Sequence, residues 1–193
     1  NLKNDDHKKK SVSKETIKNI DQSVSSTLFN WSLHEEIYGK NMPYYSPLAT
    51  KLNKTYKTKN TFQLQHLVFK QNTKITSSYY PLFLKLFQEI TNNFIKRDVE
   101  LLRIKVNLLF QTEKKSRNVF HVDDSFMKDN FFSMIYYIND SDGDTVVYKD
   151  KKLIGVKPEA GKVLMFDGKL HHASSSPVKN KLRKVVNINF RYA

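Results

Sequence analysis

The stretch FFSMIYYINDSDGDTVVYKDKKLIGVKPEAGKVLMFDG, residues 131–168, decides the fold. Its apolar runs are short and rich in Val, Ile, Tyr and Phe. FFSMIYYIND (131–140), TVVYKDKKLIGVKP (145–158) and GKVLMFDG (161–168) read as short strands. SDGD (141–144) between the first two is a tight-turn signal. The pattern extends both ways. ELLRIKVNLLFQ (100–111) alternates, NVFHVDD (118–124) follows it, and KLRKVVNINFRYA (181–193) closes the chain. Upstream the period changes. In SSYYPLFLKLFQEITNNFIKR (77–97), Leu82, Phe83, Leu86, Phe87, Ile90 and Phe94 recur at steps of three and four, with Ser78 as cap and Pro81 in the first turn. That segment is a helix. TFQLQHLVFK (61–70) has a period of two and reads as a strand, whereas NMPYYSPLATK (41–51), with two prolines, reads as loop. Residues 1–25 are polar and are expected to form a flexible arm or frayed helix, leaving 26–193 as a single domain. Helices first and about seven or eight short strands after them imply an α+β chain. Its core would be an antiparallel sandwich or jelly roll.

Composition narrows the chemistry. The chain has 193 residues, enough for one domain with a real core. It has no cysteine, so any metal must be held by nitrogen and oxygen, and an intracellular location is expected. No stretch approaches the length of apolar sequence that spans a bilayer, and the polar start lacks the apolar region of a secretory signal. The formal net charge is +14. Two readings of that charge compete: an anionic partner such as nucleic acid, or a solvated surface in a chain rich in Lys and Asn, whose codons are AT-rich.

His121-Val122-Asp123 carries the chemistry. On a strand, residues i and i+2 project to the same side, so His121 and Asp123 would stand together. Two His and one carboxylate make the facial triad of non-haem Fe(II) oxygenases, which leaves positions for a co-substrate and O2. The doublet His171-His172 in FDGKLHHASSSP offers the third ligand. An anionic co-substrate needs a cation, and Arg183 lies on a strand face with Val185, Asn187 and Asn189. Arg103, Lys105 and Asn107 share another face, lining either a pocket or a solvated sheet.

The order H-V-D, Y-Y-I-N, D-G-D-T, P-E-A-G-K-V-L-M-F-D-G and H-H-A-S-S-S-P followed by Arg resembles the Fe(II)/2-oxoglutarate-dependent dioxygenase superfamily. The likeness is to its prolyl-4-hydroxylase-like branch and its short phage-encoded members. It covers roughly residues 100–193, is looser over 60–99, and is negligible over 1–55. It implies a double-stranded β-helix (jelly-roll) core with N-terminal helices packed on one sheet. It implies His121, Asp123 and His172 as iron ligands and catalytic centre, with His171 the rival of His172. It implies Arg183 and Tyr137 at the far carboxylate of 2-oxoglutarate, with Arg191 as the alternative cation. The activity implied is hydroxylation of an unactivated C–H bond using Fe(II), 2-oxoglutarate and O2, with release of succinate and CO2. A protein side chain such as proline is the favoured substrate; a nucleotide or small molecule remains open, as does the oligomeric state. The location implied is cytoplasmic, that of the host if the chain is phage-encoded. The turn SDGDT departs from the family's usual Gly-Gly and leaves the substrate class unsupported. Two other readings stand beside this one. The first is a catalytically inactive jelly-roll or virion-associated protein that binds nucleic acid through its basic surface. The second is a cupin-type metalloprotein, which has no need of Arg183 and usually more His ligands.

Overall fold

In the computed structural model, residues 12–34, 46–71, 73, 76–123 and 130–193 are described. The elements run α1 (Lys14–Ser25), β1 (Ser32–His34), α2 (Pro47–Thr55), β2 (Gln63–Lys70), α3 (Tyr80–Phe94), β3 (Val99–Phe110), β4 (Phe132–Tyr137), β5 (Thr145–Lys149), β6 (Lys152–Val156), β7 (Val163–Asp167), β8 (His172–Ser174) and β9 (Leu182–Tyr192). A six-stranded sheet has the order β1-β2-β3-β9-β4-β7, and a three-stranded sheet has the order β6-β5-β8. All the pairings within these sheets are antiparallel. This is the expected α+β jelly roll.

The alternation along β4 and β9 divides two cores. Met134 and Tyr136 of β4 and Val186, Ile188 and Phe190 of β9 face one way, onto Phe83, Leu86, Phe87 and Ile90 of α3 and Ile20 and Val24 of α1. Ile135 and Tyr137 face the other way, into a smaller cluster between the sheets with Val147, Val156, Leu164, Phe166 and Val185. Each large side chain removed from water in the helix layer contributes about 1.5–3 kcal/mol. That layer therefore anchors the large sheet, and the opposite face is free for polar side chains. The tyrosine doublet is split in this way. Tyr136 belongs to the helix-facing core, where burial pushes its hydroxyl up to about 12.

Four local expectations are corrected. Of the two forms expected over 1–25, flexible arm or frayed helix, Lys14 to Ser25 take the helical one, as α1, but docked rather than frayed: Thr16, Ile20 and Val24 are buried at a spacing of four, and the Ser13 side chain accepts from the Thr16 N–H. One apolar residue per turn is enough to dock a helix that is polar on average. Residues 1–11 lie outside the described part. The loop expected over 41–51 is helical from Pro47, because Ser46 accepts the Ala49 N–H at 3.0 Å and Pro47 occupies the first turn, where a missing N–H costs nothing. Helix α3 has no side-chain cap at Ser78; Ser77 Oγ accepts the Tyr79 N–H and Ser77 O the Tyr80 N–H. Finally, 145–158 is two strands. Asp150 and Lys151 both adopt positive φ, at 50° and 61°, between paired Lys149 and Lys152. That is the backbone of a two-residue hairpin turn whose twist matches the strands. SDGD instead carries the chain from β4 in one sheet to β5 in the other, and Asp142 accepts from the N–H groups of Val178, Lys179 and Asn180.

Candidate metal centre

His121 and His172 are 51 positions apart, yet they exchange both backbone hydrogen bonds, at 3.0 and 2.9 Å. This isolated antiparallel bridge sets the two residues directly opposite one another, with ring centroids 4.6 Å apart. The H-V-D segment is therefore not part of a continuous strand, as expected from periodicity, but a bridge followed by a bend. The ligand atoms of His121, Asp123 and His172 still converge, all within 4.8 Å of one another.

Each imidazole is oriented by the backbone. His121 Nδ1 lies 3.0 Å from Val119 O, and His172 Nδ1 lies 3.1 Å from Leu170 O. A carbonyl only accepts, so each Nδ1 carries the proton and each Nε2 is the basic nitrogen. Fixing the tautomer in this way is what a His-ligated metal requires. Burial first, and the nearby His172 second, hold His121 neutral against the pull of Asp123, lowering its pKa to about 3.

Asp123 is the most heavily held group of the site, with its side chain 2% exposed. Oδ1 accepts from Arg103 Nη2 at 3.0 Å and from Asn187 Nδ2 at 2.7 Å; Oδ2 accepts from Ser133 Oγ at 2.6 Å and from Asn189 Nδ2 at 3.0 Å. Burial alone would raise its pKa. His172 and the Arg103 guanidinium outweigh that and hold the carboxyl well below the usual range. It is an anion at all ordinary pH. Of the Arg103-Lys105-Asn107 face, Arg103 reaches this carboxylate: β3 sets it opposite Asn189 of β9, whose side chain also holds Asp123. Asn187, Asn189 and Ser133 carry no motif. Their one signal in the sequence is polar residues at alternate positions of strands otherwise bound for a core.

The doublet is resolved by position. His172 is 4% exposed and faces the cluster, while His171 Nε2 hydrogen-bonds Ser46 Oγ at 2.7 Å, at the start of α2. Arg183 is buried beside Tyr137. Its Nε donates to Gly143 O and its Nη2 to Thr145 Oγ1, both at 2.7 Å, and the Tyr137 hydroxyl donates to the same Thr145 Oγ1 at 2.8 Å. Among the described residues no carboxylate forms an ion pair with Arg183, although a buried guanidinium without one is costly. Arg191, two residues beyond Asn189 on the same strand, instead pairs with Glu100 at 2.6 Å and is about one-third exposed.

Two predictions arise here. A Cβ on Gly143 would lie 2.4 Å from Ser175 O and 3.1 Å from Arg183 Cδ. Gly143→Ala is expected to lower the urea midpoint, by about 1–3 kcal/mol of stability, because a backbone oxygen cannot swing aside. The second concerns acid. His121 takes a proton at its ordinary value of 6.5 when unfolded and only near 3 when folded. Below 6.5 the unfolded state binds more protons, so the metal-free protein should lose stability as pH falls from 6.5 toward 3, with nothing lost above 6.5 from this group. Urea titrations across that range should show the decline in the native chain and a shallower one in His121→Phe.

No protein-family model matches the chain, and no curated protein matches it. Solved structures share its fold. An oxidoreductase of the 2OG-Fe(II) oxygenase family from Burkholderia pseudomallei superposes with a TM-score of 0.63 at 12% identity, over 93% of this chain and 80% of that one. AviO1 from Streptomyces viridochromogenes Tue57 gives 0.57 at 11% identity, over 93% and 86%. HygX from Streptomyces hygroscopicus, solved with nickel and 2-oxoglutarate bound, gives 0.51 at 10% identity, over 94% and 88%. At such identities the likeness is one of fold.

Proposed function

We propose that the chain is an Fe(II)- and 2-oxoglutarate-dependent oxygenase that hydroxylates an unactivated C–H bond. The observation that carries this reading is a pair of buried polar sites in one fold. One is the converging His121, Asp123 and His172, with both imidazole tautomers set for Nε2 ligation. The other is a buried Arg183 that has donors in place and, among the described residues, no carboxylate partner. A metal-binding module without an acidic co-substrate has no use for the second site. A protein that only binds nucleic acid has no use for either.

His121 and His172 through Nε2, and Asp123 through its carboxylate, would hold the iron; all three donors are nitrogen or oxygen, suited to Fe(II) with positions left over. Bound there, the iron supplies activation of O2 coupled to oxidative decarboxylation of 2-oxoglutarate. The chain's own residues do the positioning. Arg103, Asn187, Asn189 and Ser133 keep Asp123 ionised and stop it rotating. Arg183 would grip the distal carboxylate of 2-oxoglutarate, with the Tyr137 and Thr145 hydroxyls beside it, so the keto acid enters in one orientation. Phe166 meets the His172 ring edge-on at 4.9 Å and is held in turn by the apolar cluster that includes Ile135 and Leu164. As substrate we favour a protein side chain such as proline, on the strength of the motif order alone.

The test is spectroscopic. Fe(II) and 2-oxoglutarate added without oxygen should give a visible metal-to-ligand charge-transfer band, and His172→Ala should remove it. Folded protein that gives no band and retains no iron would reject this reading.

A further inference from the structure

Two lysine-rich segments remain outside the site. KLNKTYKTK (51–59) carries four Lys and no acid, and EKKSR (113–117) carries three cations against Glu113. The fold joins them. Lys59 N donates to Arg117 O at 2.8 Å, and Lys59 bridges to Asn118. Helix α2 buries Ala49 and Leu52 and turns Lys51 and Lys54 outward. Lys51, Lys54, Lys57, Lys59, Lys114 and Lys115 are all exposed. Among the described residues Lys115 alone of the seven cations has an acidic partner, Asp144 at 3.3 Å. In the middle lies Tyr56, 37% exposed. The Arg117 guanidinium sits 5.5 Å from its ring centre, and its other neighbour is Phe120 at 5.8 Å.

A row of uncompensated cations repels itself, and a polyanion relieves that cost. An exposed aromatic ring under a guanidinium offers a stacking platform for an unpaired base, which a carboxylate-rich peptide would not use. The ridge also adjoins the metal centre at both ends of α2: Ser46, its cap, touches His171, and Tyr56 packs on the residue before His121. We propose that this ridge is a docking surface for single-stranded nucleic acid. The inference stands independently of the iron reading, because its test needs neither metal nor turnover.

The experiment is fluorescence anisotropy of a labelled oligothymidylate of about 20 nucleotides with the full, metal-free chain over a salt series. The expected affinity falls with salt, by about 0.7 in log–log slope per phosphate neutralised. Lys51→Glu/Lys54→Glu/Lys57→Glu should weaken binding by at least about tenfold and flatten the slope by about 2. Lys14→Glu/Lys18→Glu/Lys96→Glu makes the same charge change on exposed residues of the helix layer and should stay within about twofold of the native chain. Tyr56→Ala should cost about tenfold with the slope unchanged; Tyr56→Leu, which keeps an apolar contact with Phe120, should do the same and so excludes misfolding as the cause. No binding, or equal loss in both triple variants, would overturn the proposal. Equal affinity for heparin, with no effect of Tyr56→Ala, would assign the ridge to polyanions in general and overturn it as well.

Discussion

Asp123→Asn is expected to abolish the charge-transfer band and to reduce 2-oxoglutarate turnover by at least about a thousandfold, a loss of about 4 kcal/mol in transition-state stabilisation. The reason is local. The carboxylate accepts four hydrogen bonds, two at each oxygen. An amide in its place points N–H groups at donors on one side and leaves the Arg103 charge, 9% exposed, without a counter-ion. Breaking a buried pair from one side costs about 3–5 kcal/mol of stability, so loss of activity alone would not identify a ligand. Asp123→Ala/Arg103→Leu separates the two roles. It removes the pair together and should recover much of the stability, measured by urea unfolding, while the site still takes up no iron. A stable double variant that binds iron and turns over like the native chain would remove Asp123 from the ligand set.

The second large effect is at Arg183. Arg183→Met should raise the 2-oxoglutarate concentration needed for the band by about a hundredfold or more, since loss of one partner of a buried charged contact costs about 2–5 kcal/mol. Methionine keeps the apolar length of the side chain and creates no buried charge. Iron uptake without the co-substrate should be unaffected, because Arg183 contacts Gly143 and Thr145 rather than the three ligands. Arg191→Met is the control. Its side chain is engaged by Glu100 in the native fold, and its loss should leave the requirement where it was. The opposite pattern, with Arg191 sensitive and Arg183 silent, would move the carboxylate to the other end of β9.

Of these residues, the candidate ligands are legible in the sequence because their spacing is short-range on one side and a doublet on the other. His121 and Asp123 are two apart, and the choice at 171–172 is between neighbours. Arg183 is legible through alternation along β9. The network that holds Asp123 is not. Asn187 and Asn189 read as ordinary polar positions, and the pairing that sets Arg103 opposite Asn189 joins residues 86 positions apart, which no local pattern marks. Two helices escape a reading by pattern because their patterns are thin. In α1, three buried residues in a polar segment suffice because α3 and the sheet supply the rest of the core; in α2, a proline that resembles a loop signal sits in a first turn.

The sequence by itself determined the class of the fold, through strand periodicity after a single strong helix, and the donor atoms available to a metal, through two histidines, a carboxylate and the absence of any thiol. These are properties of residue type and short-range spacing, which need no knowledge of what packs on what. Tertiary structure alone decided how His172 meets His121, which arginine is left without a carboxylate among the described residues, and that two lysine-rich segments form one ridge. Each of those depends on long-range pairing: the bridge between His121 and His172, the register of β3 on β9, and the bond from Lys59 to Arg117. Such pairing is settled by the sum of contacts across both sheets, and no local stretch of the chain encodes it.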